Sequence, residues 1–282
     1  MGKNSAIDLV EKAMFVLRLK KPQWEYIPEG WKYLKGHPEV KGWGVEKILD
    51  VYRKKWPFYA SCVSDKGPVG ITLEMKRPER EDVFAHNINM SFSYALGVSA
   101  LGKSSISMLD WGGGIGQYYF LAKEMFPRLD ISYTCKDHAV FTEHGKTLFP
   151  DQVFVSDESC LNGRYDLVMA GTSLHYSEDW RKTLRDLARV TEGYIYVAQL
   201  PVVFSGEPFV FIQRPYKYGY GTEYLSWCLN GKVFLRSAAD AGLELVREFI
   251  YGYKPRIYRA PEECGYRGYL FKSAGNGDKS DS

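Results

Sequence analysis

The run Ile106-Ser107-Met108-Leu109-Asp110-Trp111-Gly112-Gly113-Gly114-Ile115-Gly116 passes from an apolar strand through an acid into a glycine-dense turn, and it constrains the fold more than any other stretch. Glycines at 112, 114 and 116 tolerate positive φ and let the backbone come within contact distance of a bound molecule. Gln117 to Met125 reads as the helix that follows. The unit is therefore strand, tight turn, helix, with a ligand expected at the turn.

The same alternation continues downstream. Ile131 to Cys135 is a second strand, ending at Lys136-Asp137, and Val153-Phe154-Val155-Ser156-Asp157 is a third. Tyr165 to Ala170 is a fourth, breaking into Gly171-Thr172-Ser173-Leu174-His175-Tyr176. A helix follows with Ser177 as its expected N-cap and Trp180, Leu184, Leu187 and Ala188 along one face. Gly193 to Leu200 is a fifth strand, and Leu243 to Val246 and Tyr266 to Phe271 suit a closing pair after a helix near Lys232 to Ala241. Apolar strands alternating with helices predict a doubly wound, mostly parallel α/β sheet with its ligand at the carboxyl ends of the strands.

A dinucleotide fingerprint requires G-x-G-x-x-G, and its third glycine would fall at Gln117 or Tyr119. Neither is glycine, and Asp110 stands at the strand end, where it would repel a pyrophosphate. The acid-x-Gly-x-Gly-x-Gly pattern resembles motif I of class I S-adenosylmethionine (SAM) dependent methyltransferases. Leu109 to Gly114, Asp166 to Asp179, Gln199-Leu200-Pro201 and Phe209 to Arg214 are similar to a group of bacterial methyltransferases associated with surface-polysaccharide and secondary-metabolite gene clusters. The likeness covers residues 80 to 250 and departs from the group at His175, where glutamine is common, and at Asp137, where a longer acid is common.

The resemblance implies a seven-stranded Rossmann-like sheet and SAM as cofactor, with Asp110, Gly112, Gly114, Gly116, Asp137, Asp157 and Ser173 at the cofactor. Asp137 is the candidate for the two ribose hydroxyls, or the cap of the helix starting near His138. Asp157 stands beside the adenine, or in a solvated turn with Glu158 and Ser159. Methyl transfer from a sulfonium is an in-line displacement that needs alignment more than acid-base groups. For a hydroxyl acceptor, His175 is the catalytic candidate as base; the alternative is a pocket-wall histidine. Tyr216, Tyr218, Tyr220, Tyr224 and Trp227 offer either a substrate surface with a mobile flap or a half-buried loop.

Composition sets the limits. The 282 residues are 45% hydrophobic and 25% charged, with a net charge of +3 too mild to imply nucleic acid as the main partner. Five scattered cysteines without a C-x-x-C pair suit reduced thiols in a cytoplasmic protein, and dispersed histidines give no metal-ligand spacing. No apolar run reaches the ~18 residues of a membrane span, and Ala6 to Leu17 reads as a docking amphipathic helix. The chain divides into an N-terminal accessory lobe (1–79), a methyltransferase domain (80–272, with a cofactor half to 200 and a substrate-side half after it) and a disordered tail (273–282). The function expected is SAM-dependent methyl transfer to a small-molecule or glycan-intermediate acceptor at oxygen; the alternatives are a nicotinamide-dependent oxidoreductase and a silent SAM- or partner-binding protein.

Overall fold

The computed structural model describes residues 21–76 and 79–274. The amphipathic stretch at 6–17 and residues 275–282 of the expected tail (273–282) lie outside them, whereas Ser273 belongs to the last strand. The chain runs through a short strand β1 (Trp24–Tyr26), helices α1 (Glu46–Ser64) and α2 (Val83–Ser99), and then β2 (Ser105–Trp111), α3 (Gln117–Met125), β3 (Asp130–Lys136), α4 (Ala139–Leu148), β4 (Val153–Val155) and β5 (Tyr165–Gly171). It continues with α5 (Trp180–Val190), β6 (Thr191–Val203), β7 (Phe209–Gln213), β8 (Tyr224–Asn230), α6 (Gly231–Asp240), β9 (Leu243–Ile250) and β10 (Gly265–Ser273).

All ten strands join one sheet. β4, β3, β2, β5 and β6 are parallel in that order, and β10 and then β9 extend the far edge of β6 in antiparallel pairs. These seven strands, part of the larger sheet of ten, are roughly consistent with the seven-stranded sheet that the resemblance implies, and β9 and β10 pair as its last two strands. The extra strands were not foreseen. The end of β6 parallels β8 at Val202 and Val203, β8 pairs antiparallel with β7, and β7 with β1. Every residue of β7 is buried: Phe209 and Phe211 pack with Ile257, Ala260 and Cys264, and Val210 and Ile212 pack with Ile27 and with Trp31 and Tyr33 of the turn at 30–36.

Strand alternation divides the core between the two faces of the sheet. Leu167 and Met169 of β5 and Tyr196 and Ala198 of β6 join α1 to α4 on one face. Val168, Ala170, Ile195 and Val197 join α5 and α6 on the other. Ile48, Leu49, Tyr52 and Tyr59 of α1 belong to the same core as Ile106 and Met108 of β2, so the N-terminal segment is packed onto the sheet. Each such side chain contributes about 1.5 to 3 kcal/mol of burial. The expected apolar face of α5 is buried at Trp180, Leu184, Leu187 and Ala188. Its cap is Asp179, which accepts from the Lys182 amide at 2.9 Å; Ser177, the expected cap, instead meets Thr183 through their hydroxyls at 2.8 Å. No helix among the described residues is long and apolar enough to cross a membrane.

Candidate active site

A cavity of about 340 Å³ opens at the carboxyl ends of β2, β3 and β5. Gly112 (φ +78°) and Gly114 (φ +61°) line it in backbone conformations that a side chain rarely adopts. A Cβ on Gly112 would lie 2.3 Å from Cβ of Ser173, another wall residue, whose hydroxyl donates to the Trp111 carbonyl. The Gly114 amide donates to Oδ2 of Asp137 at 2.7 Å, and the His138 amide donates to Oδ1 at 2.6 Å. Burial raises the Asp137 pKa above the usual carboxylate value while those two amides oppose the rise. Each oxygen retains lone-pair capacity toward the cavity. Asp137 does not cap α4, whose N-cap is His138 without a side-chain bond.

Gln117, the first residue of α3, also faces this cavity, and its buried side-chain oxygen has no hydrogen-bond partner. Such a group calls for a donor. Three more wall residues come from the N-terminal segment: Trp43, Tyr52 and Glu74. The Tyr52 hydroxyl donates to Oε1 of Glu74 at 3.0 Å.

A second cavity, about 460 Å³, adjoins the first and shares Trp43, Glu74, Thr172 and Tyr176 with it. Its walls are rich in rings, among them Tyr220 and Tyr224, both nearly fully buried. Thr172 (φ +65°), just past the end of β5, and Gln199 (φ +50°), within the neighbouring strand β6, also line it. Positive φ at a non-glycine residue costs on the order of 1 to 3 kcal/mol and gathers at ligand sites.

No family model matches the chain, and neither does any curated protein. Solved structures do. One is provisionally assigned as a sarcosine dimethylglycine methyltransferase from Galdieria sulphuraria, at 15% identity and a TM-score of 0.50 over 80% of this chain and 98% of that one. Another is magnesium protoporphyrin IX methyltransferase from Synechocystis PCC 6803 with bound S-adenosylhomocysteine, at 12% identity and a TM-score of 0.48 over 86% of this chain and 98% of that one. The chain has a methyltransferase fold.

Within that fold, Gly112, Gly114, Asp137 and Ser173 come together at the first cavity, and four other sequence candidates do not. Asp110 is fully buried beneath the glycine loop, because strand alternation turns Trp111 outward and Asp110 inward. The Tyr133 hydroxyl donates to its Oδ2 at 2.8 Å, Oδ1 has no partner, and burial pushes its pKa up to about 7. Gly116 (φ +91°) opens α3 behind the wall, where a Cβ would lie 3.0 Å from the Phe149 ring. Asp157 is exposed in a turn and accepts from the Ser159 amide at 3.0 Å; the Ser159 hydroxyl and then this amide lower its pKa, and its neighbour Glu158 reaches the wall.

His175 is fully buried, both ring nitrogens lack partners, and it lines neither cavity. Burial pushes its pKa down to about 3. The reason is local. Leu174–Tyr176 forms a 3-10 turn, in which side chains three apart eclipse, so Ser173 and Tyr176 share the cavity side and His175 turns into the core. The tyrosine-rich segment is a strand and its approach: Tyr224 begins β8, while Tyr216 remains exposed.

Trp43, Tyr52 and Glu74 escaped the sequence reading. The tryptophans of the N-terminal segment were visible as punctuation, whereas nothing local marks Glu74.

Proposed function

We propose that this protein transfers a methyl group from SAM to the oxygen of a small-molecule or glycan-intermediate acceptor. The carrying observation is the bond from the Gly114 amide to Asp137 beside a glycine-lined cavity that opens onto a ring-lined one. In a dinucleotide site that loop amide would face a pyrophosphate; here it already holds an anion, which favours a ligand offering hydroxyls and a cationic amino-acid part.

The residues fit SAM. Asp137 would receive the ribose hydroxyls, the backbone at Gly112 and Gly114 would pass beneath the methionyl part, and the free oxygen of Gln117 would accept from a donor on the ligand. When bound, SAM supplies an electrophilic methyl on a sulfonium. The chain supplies alignment and dryness: Trp43, Thr172 and Tyr176 shape the passage between the cavities, and the buried rings of Tyr220 and Tyr224 keep water from the acceptor side. Aromatic faces with carboxylates such as Glu79 and Asp82 at the rim suit a hydroxylated ring, since the faces pack on its C–H surface and the carboxylates accept from its hydroxyls.

The test is incubation with methyl-labelled SAM and a panel of hydroxylated sugars, sugar-nucleotides and phenolic intermediates, with the added methyl located by tandem mass spectrometry. Label on oxygen supports the reading in full. Label on nitrogen or carbon overturns the oxygen assignment, and no transfer from a protein shown to bind SAM favours a silent binding protein.

A further inference from the structure

Of the four side chains common to both cavities, Trp43, Glu74, Thr172 and Tyr176, only Glu74 bears a charge. Its placement is built. Tyr52 donates to its Oε1 at 3.0 Å, and Lys55 donates to the carbonyls of Leu73, at 2.9 Å, and Met75, the residues on either side. Tyr52 and Lys55 stand three apart on α1, hence on one face of that helix, and together they hold the loop so that the carboxylate meets both cavities. A methyl group passing from one cavity to the other has to cross this junction.

We propose that Glu74 is the counter-charge to the donor's sulfonium and sets the preference of the site for SAM over its demethylated product, S-adenosylhomocysteine. The inference rests on the reading that the first cavity takes SAM. The two molecules differ only in the methyl and the positive charge it brings; the other carboxylate, lysine and histidine side chains lining the first cavity are Lys136, Asp137, His138 and Glu158, none of which reaches the second cavity. Beside a half-buried wall the effective dielectric lies well below that of water, and one close opposite charge is worth about fivefold or more in affinity. The rings of Trp43 and Tyr176 add cation–π attraction that stays the same when the carboxylate is neutralised. Transfer turns the sulfonium into a neutral thioether, which ends the pairing and favours exchange of product for fresh donor.

The test needs no acceptor. The full chain and its Glu74→Gln and Glu74→Asp variants are titrated calorimetrically with SAM and with S-adenosylhomocysteine, and folding is followed by circular dichroism. Glu74→Gln is expected to raise the Kd for SAM about fivefold or more and to leave that for S-adenosylhomocysteine within about twofold, whereas Glu74→Asp keeps most of the preference. Equal weakening of both ligands, or no change in either, overturns the inference. Should Glu74→Gln fail to fold, the wild-type SAM to S-adenosylhomocysteine affinity ratio is measured from low to high salt; a ratio that falls with salt supports the pairing and a constant one contradicts it. Wild-type protein that binds neither molecule would sink the proposed function, and Glu74 with it; binding of both with an unaltered ratio in Glu74→Gln sinks Glu74 alone.

Discussion

The amide of Gly114 and Oδ2 of Asp137 lie 2.7 Å apart, tying the loop after β2 to the end of β3. A charge-assisted bond of this kind is worth ~1.5 to 3 kcal/mol, and here one carboxylate both braces the loop and faces the cavity. Asp137→Ala is therefore expected to weaken SAM and S-adenosylhomocysteine alike, by about tenfold or more, with a fall in melting temperature. Asp137→Asn keeps an acceptor for one amide and should lie between. Retained affinity in a destabilised Asp137→Ala protein would reduce the residue to a brace.

Gly114→Val tests the cradle. The new Cβ would lie 2.8 Å from Oε1 of Gln117, the tip of a side chain, and would have to hold φ near +61°. The conformational cost is about 1 to 3 kcal/mol, which a domain of this size survives. SAM binding should fall below detection in a calorimetric titration while the circular dichroism spectrum stays native. A folded variant with unchanged affinity would remove the loop from the site.

His175 is expected to govern acid stability instead of catalysis. With its folded pKa depressed to about 3 from the ordinary 6.5, its contribution is complete above pH 6.5 and is lost as pH falls toward 3, because the unfolded chain takes up the proton first. At pH 5 that loss is about 2 kcal/mol. His175→Leu should flatten this limb of the melting curve against pH and keep SAM affinity and transfer. A drop in kcat of ~10²-fold with unaltered stability would restore the histidine as base.

Asp110 carries the opposite sign. Its folded pKa of about 7 lies above the ordinary carboxylate value, so between pH ~4 and 7 the native state keeps a proton that the unfolded chain has released. Stability therefore falls as pH rises through that window and levels off above it. Asp110→Asn, which can still accept from Tyr133, should gain on the wild type across the same window, by at most about 4 kcal/mol at pH 8. Parallel melting curves for the two proteins from pH 5 to 8 would contradict the assignment.

The parallel half of the fold was legible because each of its units is local. Strand, turn and helix from Ser105 to Met125 lie within one short window, and glycine at 112, 114 and 116 marks the turn. The joining of β1 to β7 was not legible, since it depends on partners far apart in the chain: Arg214 bonds Glu25 across 189 positions at 2.9 Å. Glu74 was missed for the same reason, its place being decided by α1. His175 was misread because residue type suggests a reacting group, while the geometry of a three-residue turn decides which side chain faces the cavity.

What occupies the glycine-lined cavity decides the function, and calorimetric titration of the full chain with SAM, S-adenosylhomocysteine and NADPH asks this directly. Saturable one-to-one binding of SAM and of S-adenosylhomocysteine, abolished by Gly114→Val and with no heat from NADPH, is the expected result. Binding of NADPH without SAM would contradict the account at its base.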